Sequence, residues 1–219
     1  MSKFSMTTLL KRLVAYPVAV IALQLGTAWA QEAPDALVKR VSEEILAIAK
    51  TDKQVQAGNQ ERIMEVVRAK ILPHINFQRM TQLTAGRYWR EATPEQQQAL
   101  TNEFRTLLVY TYAGAVAQIR NQTLEFKPMR ATPDDTEVEV RTAVIQSRGD
   151  PIQLNYRLEK GPNGWKIVDV NILGAWLVQT YRNSFAAEIQ KGGIDGLIKA
   201  LNERNKQLSA DPAKPAAKS

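Results

Sequence analysis

The 219-residue sequence contains no cysteine and one histidine, His74. The first absence excludes a disulfide scaffold, a thiol nucleophile and thiolate metal ligation. One histidine without cysteine is poor material for a zinc site, and His74 follows Pro73 at a junction between helical patterns. A serine triad needs serine, histidine and acid in concert, and the chain has no G-x-S-x-G elbow. The dinucleotide fingerprint and the phosphate loop are also missing. Carboxylates offer no better start. Glu43 and Glu44 are adjacent on a helix and do not face one another. Asp134 and Asp135 read as a turn before a strand, and nothing in the sequence brings Asp169 to Glu188. Asp169 is expected to bond locally or to face a wet mouth of the fold. No catalytic residue, metal ligand or cofactor is therefore assigned, and the chain is expected not to be an enzyme.

Long hydrophobic runs are scarce too. Residues 13–28, LVAYPVAVIALQLGTA, are apolar but interrupted by Pro17 and Gln24. They fall short of the roughly 20 residues a spanning helix needs. Lys3, Lys11 and Arg12 accompany this run, no acid occurs before Glu32, and Ala28-Trp29-Ala30 supplies a small-x-small cleavage signal. Residues 1–30 are thus expected to be a secretory signal peptide. The chain has 29 basic and 22 acidic side chains, net +7; without those three basic residues the balance is 26 to 22, net +4. The excess is small and interleaved with acids, which argues against a nucleic-acid partner.

What is present is a globular composition, 44% hydrophobic and 23% charged. Residues 34–49 carry an apolar stripe of Leu37, Val38, Val41, Ile45 and Ile48 at helical spacing. A polar connection follows, and residues 61–72 form a second helix stopped by Pro73. Asn76 is placed to cap a helix over 77–87. Thr93, Pro94 and Gln96 form a capping box for a long helix of about 25 residues, with Phe104, Leu107, Leu108 and Tyr112 on its apolar face. Strands are expected at 123–129, 137–147, 152–160 and 165–172, the last two joined by the turn GPNG. In the third, Ile152, Leu154, Tyr156 and Leu158 share one face. Helix is expected again over 175–190, and from Ile194 onward. Residues 208–219 lack a core-forming pattern and are expected to be a disordered tail. With no repeat and no linker, residues 31–207 read as one α+β domain, its helices covering a curved, mainly antiparallel sheet. The apolar faces fit either a filled core or a cavity with a few polar groups at its mouth; periodicity does not separate the two.

Three stretches carry a resemblance. They are ILPHINFQRMTQLTAGRYWREATPEQ (71–96), FRTLLVYTYAGAV (104–116) and GWKIVDVNILGAWLVQTYRNSF (164–185). Their order and spacing resemble the toluene-tolerance/MlaC family of periplasmic phospholipid-binding proteins over roughly residues 33–207. Two departures are visible: Asn76 stands where family members often have aspartate, and Trp176 where they often have serine. The resemblance implies a soluble periplasmic carrier of glycerophospholipids that helps maintain outer-membrane lipid asymmetry. Its implied partners are an inner-membrane ABC transporter complex and an outer-membrane lipoprotein–porin complex. The fold it implies encloses an apolar cavity, with acyl chains inside and the head group near solvent, and so predicts weak head-group selectivity. The tail-contacting residues nominated on this basis are Phe104, Leu108, Tyr112, Leu154, Tyr156, Val170, Ile172, Leu177, Tyr181 and Phe185. Trp176 and Arg182 are nominated for the cavity mouth. The competing expectation is an exported, non-catalytic binding or structural module with a filled core.

Overall fold

The computed structural model describes residues 32–129, 131–132 and 134–210. The expected signal peptide and the segment 211–219 lie outside the described residues. The described residues open with helix α1 (Pro34–Thr51), whose buried Leu37, Val38 and Ile45 follow the expected stripe. The connection after it holds a short helix, α2 (Lys53–Gln56), N-capped by Asp52. Its single large apolar residue, Val55, is fully buried and anchors the turn.

Helix α3 (Gln60–Val66) does not run straight to Pro73. It widens into a π turn over Val67–Ile71 and tightens into a 3-10 turn over Leu72–His74. Pro73 carries no N–H, so the regular ladder cannot continue through it. The chain then bridges to the sheet, where the Asn76 N–H donates to the Ile167 carbonyl at 2.9 Å. The Asn76 side chain in turn accepts from the Arg79 N–H at 3.0 Å and caps helix α4 (Phe77–Ala85). Asparagine thus fills the capping role open to aspartate.

Helix α5 (Pro94–Tyr112) starts at the anticipated capping box. The Gln96 N–H donates to Thr93 Oγ1 at 3.2 Å, and the Thr93 N–H donates to Gln96 Oε1 at 3.0 Å. The expected 25-residue helix is α-helical only to Tyr112 and continues as a 3-10 turn over Ala113–Gln118.

Five strands follow: β1 (Thr123–Phe126), β2 (Glu137–Ile145), β3 (Ile152–Gly161), β4 (Gly164–Ile172) and β5 (Ala175–Trp176). They form an antiparallel meander in sequence order. Period-2 alternation sends Val138, Val140, Thr142 and Val144 of β2 to the same face as their partners Leu158, Tyr156, Leu154 and Ile152 of β3. Strand β4 carries a bulge: Arg157 pairs with Asp169 and Leu158 with Ile167, so Val168 has no partner. The extra residue shifts the alternation. It puts Ile167, Val170 and Ile172 on the helix-covered face and Asp169 and Asn171 on the other.

The β4–β5 hairpin turns through Leu173 and Gly174, which both have positive φ, 54° and 89°. This is the requirement of a two-residue type I′ turn. A side chain at Gly174 would meet nothing within 4 Å, so the turn, not close packing, requires the glycine. Ala175 and Trp176 pair as β5 and do not begin the last helix; α6 runs from Leu177 to Ala210 with a break at Gly192–Gly193. It extends past 208, the expected start of the tail, because Leu208 is buried in the cluster that holds Phe104 and Phe185. The fold is therefore α+β, with helices against one face of a five-stranded antiparallel sheet.

Candidate functional site

Two neighbouring cavities lie between the helices and the sheet. The larger, about 420 Å³, is walled by α1, the end of the α3 segment, the 3-10 turn after α5, and the inner face of β1 to β4. Helix α1 contributes Leu37, Val38, Val41, Ile45 and Leu46, and the sheet contributes Leu124, Val144, Ile152, Leu154, Tyr156 and Ile167. The smaller, about 150 Å³, is walled by residues that include Leu72, Phe77, Met80, Leu108, Val109, Tyr112, Val170, Ile172 and Leu177. Ile71 and Val116 line both. The larger volume falls within the roughly 300–1,000 Å³ of small-molecule sites.

Among the described residues, no Asp, Glu, Lys or Arg lines either cavity. The larger one has polar groups at Ser42, His74, Gln118, Gln122 and Gln146; Gln118 is exposed and marks the mouth. His74 is held below its ordinary value, first by burial and then by the charges of Arg40 and Lys166, so it is neutral at pH 7. Burial pushes the Tyr156 hydroxyl up to about 12, and its hydrogen bond with Ser42 only partly offsets this. In the smaller cavity Tyr112 supplies the one hydroxyl, raised by burial and hydrogen-bonded to Tyr181. Such walls remove apolar surface from water at no cost in buried charge. Ser42 and His74 are among the polar side chains of the larger cavity, and among the described residues no carboxylate lines either cavity to complete a triad with them. Among the described residues there is also no group of three or more His, Asp or Glu that could hold a metal ion.

The nominated residues separate into three locations. Leu154 and Tyr156 line the larger cavity, and Leu108, Tyr112, Val170, Ile172 and Leu177 line the smaller. Phe104, Tyr181 and Phe185 line neither. They stack edge-to-face, with Phe104 at 5.2 Å from Tyr181 and 4.9 Å from Phe185, and fill the α5–α6 interface. Trp176 and Arg182 also stand away from both linings. The Trp176 ring lies under the Arg157 guanidinium, 3.9 Å from its centroid, on the outer face of the sheet. Arg182 Nη2 donates to the Leu83 carbonyl at 2.8 Å. Asp169 is local and dry: it accepts from the Val170 and Val178 N–H groups and lies 3.7 Å from Arg157.

Leu37, Val38, Val41 and Ile45 of the α1 stripe and the residues Ala115, Val116 and Ile119 line the larger cavity without having been nominated. The signal for the first was the stripe itself, an apolar face at helical spacing. For the second it was the run of small residues Ala113, Gly114 and Ala115.

Comparisons agree with this architecture. A family model described as "MlaC protein" matches residues 39–203. The intermembrane phospholipid transport system binding protein MlaC of Haemophilus influenzae is 23% identical over 184 residues, covering 83% of this chain and 86% of that protein. The toluene tolerance protein ttg2D of Pseudomonas putida is 26% identical over 188 residues, covering 85% and 83%. A phospholipid-binding protein of Ralstonia solanacearum, solved in complex with a phospholipid, superposes with a TM-score of 0.75 at 49% identity, covering 80% of this chain and 98% of that one.

Proposed function

We propose, because the chain belongs to the MlaC family, that it is a non-catalytic carrier of glycerophospholipid. The observation that carries this reading is the pair of charge-free cavities on one side of the sheet, opening at a mouth of amide side chains. Each methylene taken out of water contributes about 0.8 kcal/mol. A diacyl lipid crosses an aqueous space only if its tails are enclosed. Its charged head group stays hydrated at the mouth, where Gln118, Gln122 and Gln146 can hydrogen-bond it without demanding one chemistry. Head-group selectivity is accordingly weak.

The phospholipid in the Ralstonia solanacearum relative supports the ligand class. The leader-like residues 1–30 and the family support action in the periplasm, with residues 31–210 as the working domain, since Leu208 belongs to its core. In that setting the carrier exchanges lipid with an inner-membrane ABC transporter complex and an outer-membrane lipoprotein–porin complex, which maintains outer-membrane lipid asymmetry. The filled-core module is disfavoured by the cavities, since a close-packed interior holds few voids larger than a water molecule.

The test is native mass spectrometry of the purified protein, followed by lipid extraction. A stoichiometric adduct of phospholipid mass is expected. Protein that carries none, and takes up none from phosphatidylethanolamine–phosphatidylglycerol vesicles, would overturn the proposal.

A further inference from the structure

The two cavities meet only through Ile71 and Val116 among the described residues. Both stand on irregular helix: Ile71 ends the π turn after α3, and Val116 lies in the 3-10 turn after α5. Each of these segments replaces regular α-helix with poorer hydrogen-bond geometry, and π turns of this kind recur at functional sites. Val116 packs in the same cluster as Val67, at the start of the π turn, and Ile71 packs against that cluster. The polar groups are divided unequally across this pair. Ser42, His74 and three glutamines serve the larger cavity, whereas the smaller has only the Tyr112 hydroxyl. A head group therefore has somewhere to go on one side and nowhere on the other.

We propose that Ile71 and Val116 form a partition that sets how many hydrocarbon chains the protein accepts. One chain of a glycerophospholipid occupies the larger cavity, and the end of the second passes the partition into the smaller one, which has about a third of the volume. The proposal rests on the phospholipid reading above and adds a determinant of ligand class. The partition's bulk decides between two-chain and one-chain lipids.

The experiment is a competition read by native mass spectrometry. The full chain is offered dipalmitoyl phosphatidylcholine and palmitoyl lysophosphatidylcholine together. Val116→Phe thickens the partition and is expected to lower the two-chain to one-chain ratio about tenfold, the worth of roughly two methylenes excluded from the smaller cavity. Ile71→Ala thins it, adds no strain, and is expected to raise the ratio several-fold. This second variant keeps the test open if the phenylalanine variant misfolds. Variants that bind both probes in the parent's ratio overturn the partition and leave the carrier function standing. A parent protein that binds neither probe overturns both.

Discussion

At the residue scale, Asp169 and Leu173 sit in environments that work against them. The Asp169 side chain is 3% exposed, and Oδ1 accepts the Val170 N–H at 2.9 Å and the Val178 N–H at 3.0 Å. It thereby caps the start of α6 from a strand. Burial raises its pKa above the ordinary 3.8, against the opposing effects of those two amides and Arg157. A carboxyl with a raised folded pKa favours the folded state below its unfolded value, and that contribution is lost as pH rises through the folded value. An asparagine in its place keeps an acceptor oxygen and never ionises. The stability of Asp169→Asn relative to the parent should therefore increase as pH rises above about 4 and level off once the parent's carboxyl is ionised. Urea denaturation across that range checks it, and parallel curves at every pH would show the account to be wrong. Asp169→Ala, which leaves the Val178 N–H unpaired, should cost about 1–3 kcal/mol. Leu173 is the converse case, 68% exposed and held at a φ of 54°. Asparagine tolerates that region and leucine does not. Leu173→Asn restores the Asn-Gly pair favoured by type I′ turns. It should stabilise the protein by about 1 kcal/mol, seen as a higher urea midpoint with an unchanged slope.

At the element scale, α6 depends on its break. Gly193 has φ 69° and ψ −169°, a region open essentially to glycine alone. The bend brings Leu197, Leu201 and Leu208 into the cluster that holds Phe104 and Phe185. It also places Asn205, whose side chain donates to the Glu103 carbonyl at 2.9 Å and to Glu103 Oε2 at 2.7 Å. A side chain at Gly193 meets nothing within 4 Å, so the cost of Gly193→Ala is backbone strain. That cost is about 1–3 kcal/mol, which lowers the melting temperature by roughly 2–12 °C. Beyond Leu177, no α6 residue lines either cavity, so the amount of lipid bound below the transition should not change. Differential scanning calorimetry with lipid quantification separates the two effects. The elements themselves were largely legible. The Thr93–Gln96 box, the stripe of α1 and the alternation of β3 are local patterns that the fold preserves. What was not legible depends on hydrogen-bond partners. Residues 67–71 and 113–118 keep an apolar spacing that suits α-helix while their carbonyls bond at other intervals. Strand β5 has two residues, too few to alternate, and Leu208 is buried by a bend that no local spacing encodes.

At the scale of the whole molecule, sequence located the apolar interior but not the division between packed core and cavity wall. Phe104, Tyr181 and Phe185 have the same helical spacing as wall residues, yet α5 and α6 pack directly together and seal them in. Leu108 and Tyr112, one and two turns further along the same face, reach the smaller cavity because α5 ends there and the chain loosens into its 3-10 turn. The stripe of α1 became wall as well as core: Leu37 and Val38 pack with Val140 and Leu158 and also line the larger cavity, where β2 and β3 present Val144, Ile152 and Leu154. A molecule built this way couples stability to its ligand. Lipid that binds only the folded state at about 100 times its dissociation constant adds about 2.7 kcal/mol. For a domain of this size that raises the melting temperature by roughly 5–11 °C. Leu154→Arg tests whether the increment originates in the larger cavity. Leu154 is half-buried on a wall without charges, and an arginine stem there can carry its guanidinium towards the mouth. The variant should fold, yet the long stem fills space that an acyl chain would occupy, at a loss of about 0.8 kcal/mol for each methylene it displaces. The expected result is a delipidated melting temperature close to the parent's and a ligand increment below about 2 °C. A full increment in Leu154→Arg would locate the lipid elsewhere on the molecule.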